Sequence, residues 1–140
     1  MIIPARSLSQ YVAKIFEKNG VNAEESERIG RRLVNANLTG HDSHGVIRVP
    51  RYVNWLADGT LVKGQSVSVV SDSGTVVVLD GHNGFGQSVG EQAVQTGIDR
   101  ALQNGVSIVG LRNAGHLGRI GDWAEMAVDA NLISLHFVNV

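Results

Sequence analysis

The segment from Thr39 to Arg48 brings together side chains that can do acid–base and anion-binding chemistry: two histidines, one serine, one aspartate and one arginine. A histidine titrates near neutrality and can give or take a proton. An arginine can hold a carboxylate through two parallel hydrogen bonds. If residues 45–48 begin a helical turn, His44 and Arg48 project to the same side. An acid–base group beside a carboxylate clamp is the minimum needed to handle a 2-oxo or 2-hydroxy acid.

A second histidine, His116, lies in a glycine-rich loop that follows a predicted strand. Ligands gather beyond the carboxyl ends of strands in α/β sheets, so we predict that His44 and His116 form two walls of one active site. Backbone amides that open a helix can hold an anion such as a phosphate. The residues assigned to cofactor binding on this basis are Gly118, Arg119 and Gly121.

These histidines also have other interpretations. Either one can simply cap or hydrogen-bond nearby backbone groups. Three histidines suffice for a catalytic zinc ion, and His41 would be the third. However, His41 and His44 lack the helical register of a His-Glu-x-x-His site, and no carboxylate stands at a diagnostic spacing.

Residues 84–90 follow a predicted strand and open a predicted helix, as the dinucleotide-binding fingerprint Gly-x-Gly-x-x-Gly does. The match is imperfect, because three residues separate Gly86 from Gly90 where the fingerprint has two. The position near the end of the next strand is Arg112, not the acidic residue that would bind a ribose. Close packing of a helix on a strand explains these glycines equally well.

The composition narrows the class of protein. The 140 residues carry 12 basic and 13 acidic side chains, with no basic cluster that would indicate nucleic acid or an anionic membrane surface as a partner. There is no cysteine, which excludes disulfides and thiolate metal sites and fits a reducing cytoplasm. The amino-terminal residues resemble neither a signal peptide nor a membrane span. We therefore expect a cytoplasmic protein.

Periodicity predicts three helices, then a hairpin of two strands, and then alternating strands and helices, an order that favours an α/β sheet with parallel strands covered by helices. Capping pairs predict helix starts at Ser7, Asn22 and Ser88. We divide the chain into an amino-terminal helical segment, 1–60, and the first part of an α/β domain, 61–140. Because the last predicted strand, 132–140, has no helix after it, we expect the natural protein to continue beyond Val140. The other predicted elements are helices over 7–19, 22–40, 50–59 and 88–104, strands over 67–70, 75–79 and 106–111, and a short helix through Trp123.

Taken together, three stretches resemble the malate/L-lactate dehydrogenase family: residues 40–48 with Tyr52 and Gly59, residues 80–87, and residues 112–118. The resemblance implies an NAD(P)-dependent oxidoreductase, a homodimer, with a three-layer α/β/α fold and a mixed, non-Rossmann sheet. It implies His44 and His116 as the catalytic residues, without deciding which one transfers the proton. It places Ser43, Arg48 and Tyr52 in the substrate and nicotinamide region.

The implied reaction passes a hydride between nicotinamide C4 and the carbonyl carbon of a small 2-oxo acid, while a histidine protonates the developing alkoxide. Two positions depart from the family pattern, Leu117 in place of the usual Phe and Trp123 in place of a common Tyr. The chain is also less than half as long as a typical member, so it is expected to be inactive alone. The alternative is a truncated, non-catalytic product that keeps a folded interaction or anion-binding surface.

Overall fold

The computed structural model describes residues 2–139, which form an α/β fold of five α-helices and one three-stranded mixed sheet. Two short 3-10 turns join the second helix to the third. None of the helices in this part of the chain is both long and apolar enough to cross a membrane. In chain order the elements are α1 (Ala5–Lys18), α2 (Ala23–Leu38), the turns Asp42–His44 and Val46–Arg48, α3 (Val49–Ala57), β1 (Ser68–Asp72), β2 (Val76–Gly84), α4 (Gly86–Asn104), β3 (Ile108–Ala114) and α5 (Gly121–Asp129).

The larger apolar core joins α1, α2 and α3 to the residue that precedes α4. Phe16 on α1 contacts Phe85 edge-on, with ring centroids 5.7 Å apart, and lies 6.3 Å from the ring of Tyr52. Aromatic rings packed in this way bury much apolar area and hold a defined geometry. Tyr52, which the resemblance places at the site, is therefore held rigidly by the core and is only 1% exposed.

The sheet has the order β1-β2-β3. β1 pairs with β2 antiparallel, as the predicted hairpin requires, and β3 pairs with β2 parallel, with α4 as the crossover. Val77 and Leu79 of β2 pack against Ala93 of α4 and form a second, smaller core. In the parallel register Gly84 faces Ala114, so the chain leaves β3 beside the start of α4. This register brings the His116 loop to α4.

Polar contacts tie α2 to α4 and α5. Glu25 is buried and accepts hydrogen bonds from Ser88 Oγ and from the backbone amide of Gly64, both at 2.8 Å. Arg32 Nη2 lies 2.7 Å from Glu91 Oε2. A buried carboxylate with two donors and a partly buried ion pair fix one orientation of the helices more than they add net stability.

The structure confirms one predicted helix cap and corrects two. Asn22 Oδ1 accepts from the backbone amide of Glu25, as the capping pair predicts. In contrast, α1 begins at Ala5 after Pro4, so Ser7 lies inside the helix. The predicted cap at Ser88 is also wrong, because α4 begins at Gly86 and the Ser88 hydroxyl donates to Glu25 instead of capping the helix. Capping competes with any stronger partner, and a buried carboxylate is one.

The predicted strand over 132–140 is wrong for the part that the structure describes, since residues 132–139 form no regular element there. Val140 lies outside the described residues. Alternating apolar residues form a strand only when another strand supplies hydrogen-bond partners. Within residues 2–139 this segment pairs with none, and Ile133 and Phe137 are 98% and 94% exposed.

Candidate active site

The turn that carries His44 is shaped by Asn37, which lies in the last turn of α2. The Asn37 side chain donates through Nδ2 to the Asp42 carboxylate and accepts through Oδ1 from the amide of Val46 at 2.9 Å. Gly45 makes room for it, because a Cβ there would lie 2.6 Å from Asn37 Nδ2. One amide therefore braces both ends of the turn, and Asp42 contacts this amide instead of a histidine.

The loop that carries His116 is held against the first residue of α4. The Gly115 amide donates to the Gly84 carbonyl at 2.8 Å. A Cβ on Gly86 would lie 2.6 Å from the carbonyl carbon of His116 and 2.7 Å from the Gly115 oxygen. Glycine at position 86 is thus required by close packing of helix on loop. This packing accounts for the glycine at position 86 in the stretch that partly matches the dinucleotide fingerprint.

The two loops bring His44 and His116 into direct contact. His44 Nδ1 lies 3.0 Å from His116 Nε2, and the planes of the two rings differ by 6°. The Tyr52 hydroxyl lies 2.7 Å from His116 Nδ1. Gln87 Nε2 donates to the Tyr52 oxygen at 2.9 Å. The result is an unbroken hydrogen-bonded chain of four side chains, in which the two predicted histidines are in direct contact.

Burial and positive charge keep this chain uncharged at neutral pH. Partial burial, followed by the charge of Arg48, lowers the pKa of His116 to about 4. The same two causes, in the same order, lower the pKa of His44. Burial raises the pKa of Tyr52 to about 12 against the opposing effect of the Gln87 hydrogen bond. Both imidazoles are therefore neutral, and the phenol keeps its hydrogen.

Arg48 is the positive group of the site. Its Nε donates to the backbone oxygen of Ser43 at 2.5 Å, which orients the guanidinium from one edge. Ser43 contributes its carbonyl to this contact, while its side chain is exposed. Within the described residues the two terminal nitrogens of Arg48 make no hydrogen bond or ion pair. They form the edge of the guanidinium that can hold a carboxylate with two parallel bonds.

The three residues assigned to cofactor binding make a different set of contacts. Arg119 donates to Asp122 at 2.6 Å and also pairs with Glu125. Its guanidinium covers Gly121, where a Cβ would lie 2.8 Å from Arg119 Cζ. Gly118 adopts a left-handed φ of +74° and packs on the amide of Gln87. The structure thus places Arg119 in an ion-pair cluster with Asp122 and Glu125.

His41 lies near the site but turns away from it, since its Nδ1 contacts the Thr39 carbonyl at 3.0 Å. Among residues 2–139 no group of three or more potential ligand side chains is arranged to hold a metal ion. Sequence reasoning missed Asn37, Gly86 and Gln87, which brace the two histidine loops. The last two fall in the stretch 80–87 that resembles the family, but no spacing rule connects position 87 to position 52.

Known proteins resemble this chain in sequence and in fold. A family model described as malate/L-lactate dehydrogenase matches residues 3–140. The chain is 38% identical over 136 residues to hydroxycarboxylate dehydrogenase B of Escherichia coli, a match that covers 97% of this chain and 38% of that protein. It is 39% identical over 141 residues to an L-lactate dehydrogenase of Cupriavidus necator, covering 100% of this chain and 40% of the relative.

A solved structure, the sulfolactate dehydrogenase of Methanocaldococcus jannaschii, superposes with a TM-score of 0.87 at 32% identity. That superposition covers 92% of this chain and 38% of the solved one. The chain therefore spans about two fifths of the length of the relatives that it matches. Because the family match extends over almost every residue of the chain, we conclude that this protein belongs to the malate/L-lactate dehydrogenase family.

Proposed function

We propose that the full-length protein is an NAD- or NADP-dependent oxidoreductase that interconverts a small 2-oxo acid and the corresponding 2-hydroxy acid. The observation that carries this proposal is the unbroken contact of Tyr52, His116 and His44 beside Arg48. Relatives named L-lactate and L-sulfolactate dehydrogenase support the substrate class, since both names denote 2-hydroxy acids.

Arg48 would bind the substrate carboxylate. Its Nε is occupied by Ser43, which leaves the edge formed by the two terminal nitrogens for a bidentate contact. A carboxylate held there also places the carbonyl carbon of the 2-oxo acid near Arg48, because that carbon is bonded directly to the carboxylate. Ser43 and Tyr52 would define the walls of the same region, Ser43 from the turn and Tyr52 from the core.

The histidine pair would move the proton. A neutral imidazole has one donor and one acceptor nitrogen. Two such rings in contact can therefore pass on a proton that the pair has taken up from solvent, because one ring gives its hydrogen to the substrate oxygen while its other nitrogen accepts from the ring behind. The pair would carry one positive charge before the transfer and be neutral after it. In the oxidation of the hydroxy acid, the neutral pair would accept the hydroxyl proton and release it to solvent.

Substrate binding would also change the acidity of the pair. Arg48 contributes to the lowered pKa of both His44 and His116. A bound carboxylate neutralises the guanidinium and removes that contribution. The pKa of each histidine should therefore rise when the substrate binds, which lets the pair take up the proton that it then gives to the developing alkoxide.

Nicotinamide supplies the hydride chemistry that this pair cannot. The described residues fit the reacting end of such a cofactor, because half-buried neutral imidazoles stand beside a carboxylate-binding arginine. They do not fit its phosphates at the loop 118–121, because Arg119 is already neutralised by Asp122 and Glu125. We therefore include no phosphate contact from Gly118, Arg119 or Gly121 in the proposal.

The proposal also includes the three-layer, non-Rossmann arrangement of the whole domain, which the mixed sheet, with β1 antiparallel to β2, supports. It further includes the division into residues 1–60 and 61–140, a homodimer and a cytoplasmic location, as the sequence predicts. Sedimentation of the full-length protein checks the homodimer directly.

The test is steady-state oxidation of NADH and NADPH by the full-length protein with pyruvate or oxaloacetate as the acceptor. His44→Ala and His116→Ala should each lower kcat by roughly 10²–10⁴, the usual contribution of general acid–base catalysis. The matched control is His41→Ala in the same loop, which should keep wild-type turnover. Absence of turnover with any 2-oxo acid, or wild-type kcat in both histidine variants, would refute the proposed function.

A further inference from the structure

Gln87 is the end of the hydrogen-bonded chain that points into the protein. It lies in the first turn of α4 and is 1% exposed. Its Nε2 donates to the Tyr52 oxygen at 2.9 Å. Its Oε1 is buried and has no hydrogen-bond partner among residues 2–139. A buried amide with one unsatisfied oxygen costs stability, so its position points to a role other than stabilising the core.

Assigning each hydrogen in the hydrogen-bonded chain shows the direction in which its members donate. The Tyr52 oxygen accepts from Gln87, so its single hydrogen is directed to the other partner, His116 Nδ1, at 2.7 Å. His116 Nδ1 must then be an acceptor, and the neutral ring carries its hydrogen on Nε2. That hydrogen is donated to His44 Nδ1 at 3.0 Å. His44 in turn carries its own hydrogen on Nε2, the one ring nitrogen of the pair that the described residues leave without a partner.

We propose that Gln87 is a positioning residue that sets the direction of this chain, and with it the tautomer of both histidines. The inference rests on the proposed function for its catalytic meaning, because the fixed direction presents an imidazole N–H to the oxygen of a 2-oxo acid. Gln87 touches no reacting atom, and it acts through Tyr52. Gly118 leaves the space for its amide, since a Cβ there would lie 3.3 Å from Gln87 Nε2.

A carboxylate at position 87 should reverse the chain. In Gln87→Glu the ionised side chain can only accept, so the Tyr52 hydrogen turns toward it and the phenol oxygen becomes the acceptor for His116. His116 would then carry its hydrogen on Nδ1, and His44 would follow. Gln87→Met removes the donor without adding an acceptor, and it leaves the tautomer of His116 unconstrained from this side.

The experiment is long-range ¹H–¹⁵N NMR of the histidine rings at neutral pH, which distinguishes protonated from unprotonated ring nitrogens. The proposal predicts that wild-type His116 is protonated on Nε2, that Gln87→Glu exchanges the two nitrogens, and that Gln87→Met gives averaged shifts. A wild-type ring protonated on Nδ1 overturns the proposal, and this result does not depend on whether a variant folds. A Gln87→Glu protein that folds, has an ionised carboxylate at position 87 and keeps the wild-type tautomer overturns it as well.

Kinetics separate this proposal from the proposed function. In an active enzyme, Gln87→Met should lower kcat roughly tenfold, the rate equivalent of one hydrogen bond, and leave KM within about twofold. If Gln87 had a purely structural role, its substitution would change neither the tautomer of His116 nor kcat relative to KM. An inactive wild-type protein whose His116 is protonated on Nε2 would refute the proposed function while leaving the role of Gln87 intact.

Discussion

Gly86→Ala should damage the site more than any other single methyl group added in α4. The new Cβ would lie 2.6 Å from the carbonyl carbon of His116, whereas ordinary contact begins near 3.4 Å. The obstacle is backbone and not the tip of a side chain, so the loop has to move by about 0.8 Å. A displacement of that size takes the 2.7 Å contact between Tyr52 and His116 beyond the ~3.2 Å limit of a good hydrogen bond.

The expected loss in kcat is up to roughly 10²-fold, because a misplacement of about 1 Å can cost that much. Gly97→Ala is the matched control in the same helix. Its Cβ would lie 3.0 Å from the Val109 Cγ2 methyl and 3.6 Å from Ser107 Oγ, both of which precede the His116 loop. Neither change gains more than about 1 kcal/mol of helix propensity, so a larger difference in kcat between them reports on the His116 loop.

The assay combines turnover of the full-length protein with the histidine ring spectrum of each variant. We expect Gly97→Ala to keep wild-type turnover and ring shifts, and Gly86→Ala to lose both. A Gly86→Ala enzyme with wild-type kcat and an unchanged His116 resonance would refute the view that α4 positions this histidine.

Two further predictions concern charge at the site. Arg48→Lys should raise KM for the 2-oxo acid more than it lowers kcat, because an ammonium group cannot reproduce a two-pronged contact; equal KM values would contradict the carboxylate-binding role. In an NMR titration His116 should stay neutral until the pH approaches its pKa of about 4, well below the ordinary value of 6.5. The folded state then binds fewer protons than the unfolded state between these values, so the free energy of unfolding should fall as the pH drops from above 6.5 toward 4. A His116 midpoint near 6.5 would contradict the burial and charge effects described above.

Local patterns in the sequence predicted several local features, although two of the three predicted helix caps were wrong. The Asn22 cap, the hairpin of β1 and β2, and the crossover through α4 depend on residues close together in the chain. The contact between His44 and His116 was also predictable, because residues that follow a strand lie at the carboxyl edge of the sheet, where sites in α/β folds form. These features need only local chemistry and the rules of sheet topology.

Contacts between residues that only the tertiary fold brings together were not predictable from the sequence. Ser88 was predicted to cap α4 but donates a hydrogen bond to Glu25. Gly86 fitted a phosphate loop and close helix packing equally well in the sequence, and it packs on the His116 backbone. Gln87 carries no pattern that would connect it to Tyr52, 35 residues earlier. The apolar segment 132–139 has a strand pattern, yet the described residues offer it no partner strand. Each of these depends on which groups the fold brings within reach.

The most direct test of the shared histidine site is a double-mutant cycle on kcat with His44→Ala, His116→Ala and the double variant. Residues that act as one unit are strongly non-additive. If the two rings pass one proton, either single change already breaks the path, and the double variant should be no slower than the slower single variant. Losses that simply multiply in the double variant would show that the two histidines act independently, and would contradict a shared acid–base pair.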